Sequence, residues 1–142
     1  MTPQQIDLVQ ASFLNLPLRR QAAALFYGRL FDIDASARPL FARSNLDAQG
    51  EKLMAALHFV VDALREPETM LATVRALALR HVRYGVVASQ YASVGQALVW
   101  TVEQGLGPSA SPEILAAWGA AYALLSEAML ACLDSAPNAV VA

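Results

Sequence analysis

The sequence predicts an all-α protein, and three observations carry that expectation. Apolar residues recur at spacings of three and four along every long segment. No run shows sustained alternation, and each segment opens on a capping residue or a proline and closes on a glycine or a turn. With 142 residues, 56% hydrophobic and 15% charged, the chain can bury one core and is too apolar for disorder. The expected organisation is one domain over residues 1–135, with a frayed tail over 136–142.

Thr2-Pro3-Gln4-Gln5 supplies an N-cap, a proline at the first helical position and a capping-box glutamine. The first helix starts there, shows Ile6, Val9, Gln10 and Phe13 on one face, and ends near Asn15–Pro17. A second runs from about Leu18 to Ile33, with Ala23, Ala24, Tyr27, Leu30 and Phe31 on its stripe. Asp34-Ala35-Ser36 opens a short turn carrying Pro39, Leu40 and Phe41. From Ser44-Asn45 a long helix to about Leu64 presents Gln49, Leu53, Ala56, Leu57 and Val60. Glu66-Pro67-Glu68 starts the next, whose stripe is Leu71, Val74, Leu77, Ala78 and His81, stopped by Gly85. Another covers about Ala88 to Gln104 and closes on Gly105-Leu106-Gly107-Pro108, and Ser111-Pro112-Glu113 caps the last.

That last helix needs a membrane test. Ile114 to Leu133 is almost continuously apolar and reaches the length of about 20 residues that a span requires. Glu127 interrupts it, and an acid at depth costs about 2.5–3.5 kcal/mol. No Lys or Arg flanks either end, so the expectation is a central helix buried on most sides and no membrane span. The start of the chain lacks the basic and apolar regions of a secretory signal, which points to the cytoplasm. The single Cys132 forms no internal disulfide framework and fits a reducing compartment. Ten Lys+Arg against 12 Asp+Glu give a net charge of -2, which argues against a nucleic-acid partner.

Motifs for phosphate binding, CxxC chemistry and HExxH metal binding are absent, and Gly105-Leu106-Gly107 follows a helix, so it reads as a C-cap. Three polar residues interrupt apolar stripes instead: Tyr27, Gln49 and His81. One such residue is most often a hydrogen-bonded core residue. Three on three helices suggest a shared polar centre. His81 follows Val74, Leu77 and Ala78 at helical spacing and faces inward. His58 lies nine residues after Gln49, about 180° round the helix, so it faces away. Two histidines are too few for a multi-histidine metal site, but one suffices as an axial ligand.

Several segments together carry a resemblance. Tyr27-Gly28-Arg29-Leu30-Phe31 with Arg38-Pro39-Leu40-Phe41 is similar to the B helix and CD corner of globins. Gln49-Gly50-Glu51-Lys52-Leu53-Met54 resembles their distal E helix, and Leu79-Arg80-His81-Val82-Arg83-Tyr84-Gly85-Val86 their proximal F helix and turn. Tyr91 to Gly107 and Ala117 to Met129 resemble the G and H helices. The ordered set covers nearly the whole chain. It looks closest to bacterial single-domain haemoglobins, the globin domain of flavohaemoglobins and neuroglobin-like proteins.

The resemblance implies a globin fold packed around haem b, iron protoporphyrin IX. It makes His81 the proximal iron ligand, leaving one axial position open to a diatomic gas. Tyr27 and Gln49 match a distal Tyr/Gln donor pair, Leu53 walls the pocket, and Phe41 packs on the porphyrin. Leu77 and Val86 line the proximal side, Lys52 and Arg80 are propionate partners, and Tyr91 matches the proximal tyrosine of flavohaemoglobins. One departure stands out. Flavohaemoglobins add an H-helix glutamate that makes the proximal imidazole more basic, and the matching position here is Leu133, with Asp134 beside it and Glu127 two turns earlier.

Three functional readings compete. The first is a high-affinity O₂-binding protein, also taking CO and NO, for transport, storage or sensing. The second is a nitric oxide dioxygenase served by a separate reductase, since the length leaves no room for a reductase domain on this chain. The third is a haem-free helical interaction module. His81 with Tyr27 and Gln49 speaks against the third, and the missing carboxylate weakens the second. The first is the expectation, as a monomer or homodimer.

Overall fold

The computed structural model describes residues 1–16 and 19–135, the side chains of 19, 20 and 133–135 excepted. The tail over 136–142 and the Leu18 start of the second helix lie outside the described residues. Six α-helices follow one another: α1 (Pro3–Leu14), α2 (Arg19–Ile33), α3 (Leu46–Asp62), α4 (Pro67–Arg83), α5 (Ala88–Leu106) and α6 (Pro112–Ser135). Short 3-10 turns at Ala35–Phe41, Ala63–Arg65 and Gly107–Ser109 join them, and no strand occurs among the described residues.

The helix ends follow local chemistry. Thr2 caps α1 and Gln5 completes the capping box. The Asn45 side chain accepts from the amides of Asp47 and Ala48 to start α3. Gly85, at φ +90°, ends α4: Val86 N–H returns to the His81 carbonyl at 3.0 Å, closing the left-handed turn that glycine permits. Gly107, at φ +56°, does the same office after α5, two residues beyond the expected stop, so Gly105 stays helical.

Helix α2 crosses both α3 and α5, while α6 packs against α1, α4 and α5. At the centre Trp118 is 2% exposed and donates its indole N–H to Ser12 Oγ at 2.8 Å. Ser12 in turn donates to the Leu8 carbonyl at 2.6 Å, so neither buried polar group is orphaned.

Several expected faces are rotated. In α4 the buried line is Met70, Val74 and Ala78, whereas Leu71, about 100° further round, is 58% exposed. In α2, Ala22 and Phe26 are buried and Ala24 is exposed. In α3 the deepest residues are Gly50, Met54, Val60 and Val61, while Gln49, Leu53 and Leu57 sit half-buried beside them. The expectation of an α6 buried on most sides is also corrected. Pro112–Cys132 is long and apolar enough to cross a membrane, yet only 22% of its most apolar window is buried. Its exposed positions include the alanines Ala116, Ala123 and Ala131, which have little area to hide.

Candidate functional site

Helix α2 carries the phenol of Tyr27 into the interior, where the residue is 5% exposed. Its ring meets Phe26 and Phe41 edge-on, both at 5.2 Å, and stacks near Phe31 at 6.2 Å. The hydroxyl donates to the backbone carbonyl of Gln49 at 3.4 Å. Gly50 makes this approach possible, since a Cβ there would come within 2.8 Å of Ala23 Cβ on α2. Burial pushes the Tyr27 phenol up to about 12, with the Gln49 side chain offsetting part of the rise. Tyr27 is therefore a neutral hydrogen-bond donor at physiological pH.

Phe41 is held in place from the other side. The Asp34 carboxylate accepts from Ser36 N at 3.1 Å and from Ser93 Oγ of α5 at 2.8 Å. Hydrogen bonds from Ser36 and Ser93 hold that carboxyl below its ordinary range. Gln90 Nε2 reaches Ser36 Oγ at 3.1 Å, while its Oε1 accepts from Val87 N at 2.9 Å. This network ties the turn that bears Phe41 to the start of α5.

His81 stands in the last turn of α4, half-buried. Its Nδ1 lies 2.7 Å from the Leu77 carbonyl oxygen. A carbonyl only accepts, so Nδ1 carries the hydrogen, and Nε2 is the ring nitrogen that a metal could take. The Tyr91 ring lies 6.4 Å from the imidazole, tilted by 34°. Tyr91 is 7% exposed, and its hydroxyl is buried with no partner among the described residues. Burial raises that phenol, and burial followed by the neighbouring Tyr91 raises Tyr122. Tyr122 donates its hydroxyl to the Tyr91 carbonyl at 2.6 Å.

The structure thus brings together Tyr27, Gln49 and Phe41 in one group, and His81, Leu77 and Tyr91 in a second. Leu53, Leu77 and Val86 are half-buried against the core, while Lys52 and Arg80 are exposed. His58 points elsewhere: its Nε2 lies 3.0 Å from Asp62 and its ring 5.9 Å from Phe13 of α1. The side chains of Leu133 and Asp134 lie outside the described residues. Sequence reasoning did not single out Gln90, Ser93 and Tyr122. Gln90 had a local signal, three residues after the helix start at Val87. The other two act across elements and had none.

Among the described residues no three of His, Cys, Asp and Glu gather into a metal cage. One imidazole whose Nδ1 is taken by a carbonyl offers Nε2 to a metal that brings its other ligands with it. The Tyr91 ring lies 6.4 Å from that imidazole, and its hydroxyl is a buried polar atom with no partner among the described residues. Fold and donors together define a helical protein fitted to a prosthetic group of the haem type.

The chain belongs to the globin family, whose profile, described as Globin, matches residues 24–129. It is 32% identical over 133 residues to a flavohemoprotein of Bordetella pertussis, covering 92% of this chain and 33% of that protein. A flavohemoprotein of Rhizobium meliloti is 30% identical over 138 residues, with 95% and 34% covered. The chain therefore spans about a third of the length of these curated relatives. An engineered carbene transferase from Rhodothermus marinus superposes with a TM-score of 0.87 at 27% identity, covering 100% of this chain and 99% of that one. A bacterial globin from Campylobacter jejuni gives 0.84 at 21% identity over 96% and 99%, which supports the fold. Family membership implies haem binding.

Proposed function

We propose that residues 1–135 form a single globin domain that holds haem b and binds O₂ reversibly and tightly, and also CO and NO. The single observation that carries this reading is the state of His81: Nδ1 lies 2.7 Å from the Leu77 carbonyl oxygen, and Nε2 makes no hydrogen bond among the described residues. His81 would hold the iron as proximal ligand, Phe41 would pack on the porphyrin, and Leu53, Leu77 and Val86 would line the pocket. Lys52 and Arg80, both exposed, reach the propionates. Haem held there would supply the gas-binding chemistry. Tyr27, neutral and buried, would donate a hydrogen bond to a gas held there, with Gln49 assisting. Tyr91 supports His81 from the proximal side. The protein acts in the cytoplasm without a membrane span or nucleic-acid partner, as a monomer or homodimer.

The test is an absorption spectrum of the purified protein, ferric, ferrous and with CO, beside those of His81→Ala and His58→Ala. His81→Ala should lose most haem or its normal spectrum, and His58→Ala should keep both. Unchanged spectra in His81→Ala would overturn the assignment.

A second reading is favoured by the relatives. The R. marinus neighbour carries a nitric oxide dioxygenase designation, and the curated relatives are flavohemoproteins. A nitric oxide dioxygenase would need a reductase from outside residues 1–142. Leu133, at the position that matches the flavohaemoglobin glutamate, weakens the support for His81 that such chemistry uses. Nitrate formation from NO and O₂ in the presence of a reductase would decide for it.

A further inference from the structure

We propose that diatomic gas reaches Tyr27 through the cleft between α2 and α3, with the Tyr27 ring as its inner gate. The inference rests on the gas-binding reading above. The cleft encloses about 700 Å³, and its wall includes Ala23, Ala24, Gly28, Met54 and Ala55, with Tyr27 at the buried side. Arg38, Asp47 and Glu51 give it a polar edge. Small apolar walls suit O₂, CO and NO, which carry no net charge and lose little hydration on entry. Gly28 borders open space: a Cβ added there meets nothing within 4 Å.

The gate is loosely latched. The Tyr27 hydroxyl is held by Gln49 alone among the described residues, and its bond to the Gln49 carbonyl is 3.4 Å long, at the far limit for an O–H donor. Its ring contacts are edge-on to Phe26 and Phe41, and Phe31, which stacks on it, also lines the cleft. Ring motion about such contacts opens a path without moving either helix, whose crossing is fixed where Gly50 meets Ala23. The alternative entrance past Gln49 would leave the α2–α3 cleft without influence on association.

A second groove, between α5 and α6, gives a matched control. It encloses about 560 Å³, and Gly119 on its wall also meets nothing within 4 Å when a Cβ is added. CO rebinding after flash photolysis, measured on the haem-loaded protein, tests the proposal. Gly28→Phe should slow bimolecular rebinding of CO by about five- to tenfold, as expected when entry becomes the restricted step. Gly119→Phe should leave it at the wild-type rate. Ala24→Phe, one turn earlier on the same α2 wall, should repeat the slowing if Gly28→Phe folds poorly. Xenon at high pressure should occupy the cleft in the wild-type protein and be excluded by either plug. Wild-type rebinding in both plugged variants, with normal CO spectra, would overturn the route and leave the gas-binding reading intact. Failure of the wild-type protein to form a CO spectrum would instead overturn that reading, and the route with it.

Discussion

Tyr122 hands its hydroxyl hydrogen to the backbone carbonyl of Tyr91 at 2.6 Å, and so α6 holds the residue of α5 that lies beside His81. The ring fits because residue 95 is glycine: a Cβ there would come within 2.7 Å of two ring carbons of Tyr122. Gly95→Ala should destabilise the protein by about 1–3 kcal/mol through overpacking. Tyr122→Phe should cost about 0.5–1.5 kcal/mol for the lost bond. Urea unfolding of both variants reads this directly, and wild-type midpoints in both would refute the clamp.

The distal donors should govern how long O₂ stays. A hydrogen bond to a charged group is worth about 1.5–3 kcal/mol, so losing one should raise the O₂ off-rate by about 10–100-fold. Tyr27→Phe should show the larger effect because its ring is already packed, whereas Gln49 must order a flexible amide. Gln49→Leu should show a moderate effect, and CO release should change little in either. Stopped-flow O₂ dissociation checks both variants; unaltered release in the two would make the pair structural.

The deoxy ferrous protein should be five-coordinate at His81. His58 is engaged with Asp62 at 3.0 Å and lies against Phe13, on the far side of α3 from Gln49. A low-spin bis-histidine spectrum in the ferrous state would contradict this and draw His58 into the site.

Asp34 gives the fold an acid-sensitive fastening. Its folded carboxyl is held below the ordinary value of 3.8, so the stability it contributes is complete above that value. It is lost as pH falls through the lower folded value. Asp34→Asn should therefore flatten the loss of stability below about pH 4, with a smaller difference from wild type at the acid end than at neutrality. Thermal melts across that range measure it.

Ser12→Ala should cost about 1–3 kcal/mol, because it strands the indole N–H of Trp118 in a buried place. Calorimetry of the variant checks the figure, and Ser12→Thr, which keeps the hydroxyl, should recover part of the loss.

The sequence made the helices legible because their signals are local. Thr2, Asn45, Pro67 and Gly85 each mark an end through chemistry reaching three or four residues. Tyr27, Gln49 and His81 were visible as polar breaks in apolar stripes. What periodicity misjudged was rotation: it set Leu71 and Ala24 inside, where the neighbouring helix favours Met70 and Phe26. A shift of one residue turns a helix face by about 100°, and only the packing partner chooses between adjacent stripes. The fastenings from Asp34 to Ser93 and from Tyr122 to Tyr91 span 59 and 31 residues, beyond the reach of any local pattern.

Gly50 contributes no side chain to the groups it arranges. It lets α3 ride against Ala23 at a single point, and Gln49 and Tyr27 stand on the two arms that meet there. The crossing works as the pivot of a pair of scissors. A methyl group inserted at the pivot spreads the arms, and the spread is felt at the tips, where the phenol and the Gln49 carbonyl are already 3.4 Å apart. Descendants of this chain could therefore retune the grip on a bound gas by changing the one residue between the arms, with both donors left in place.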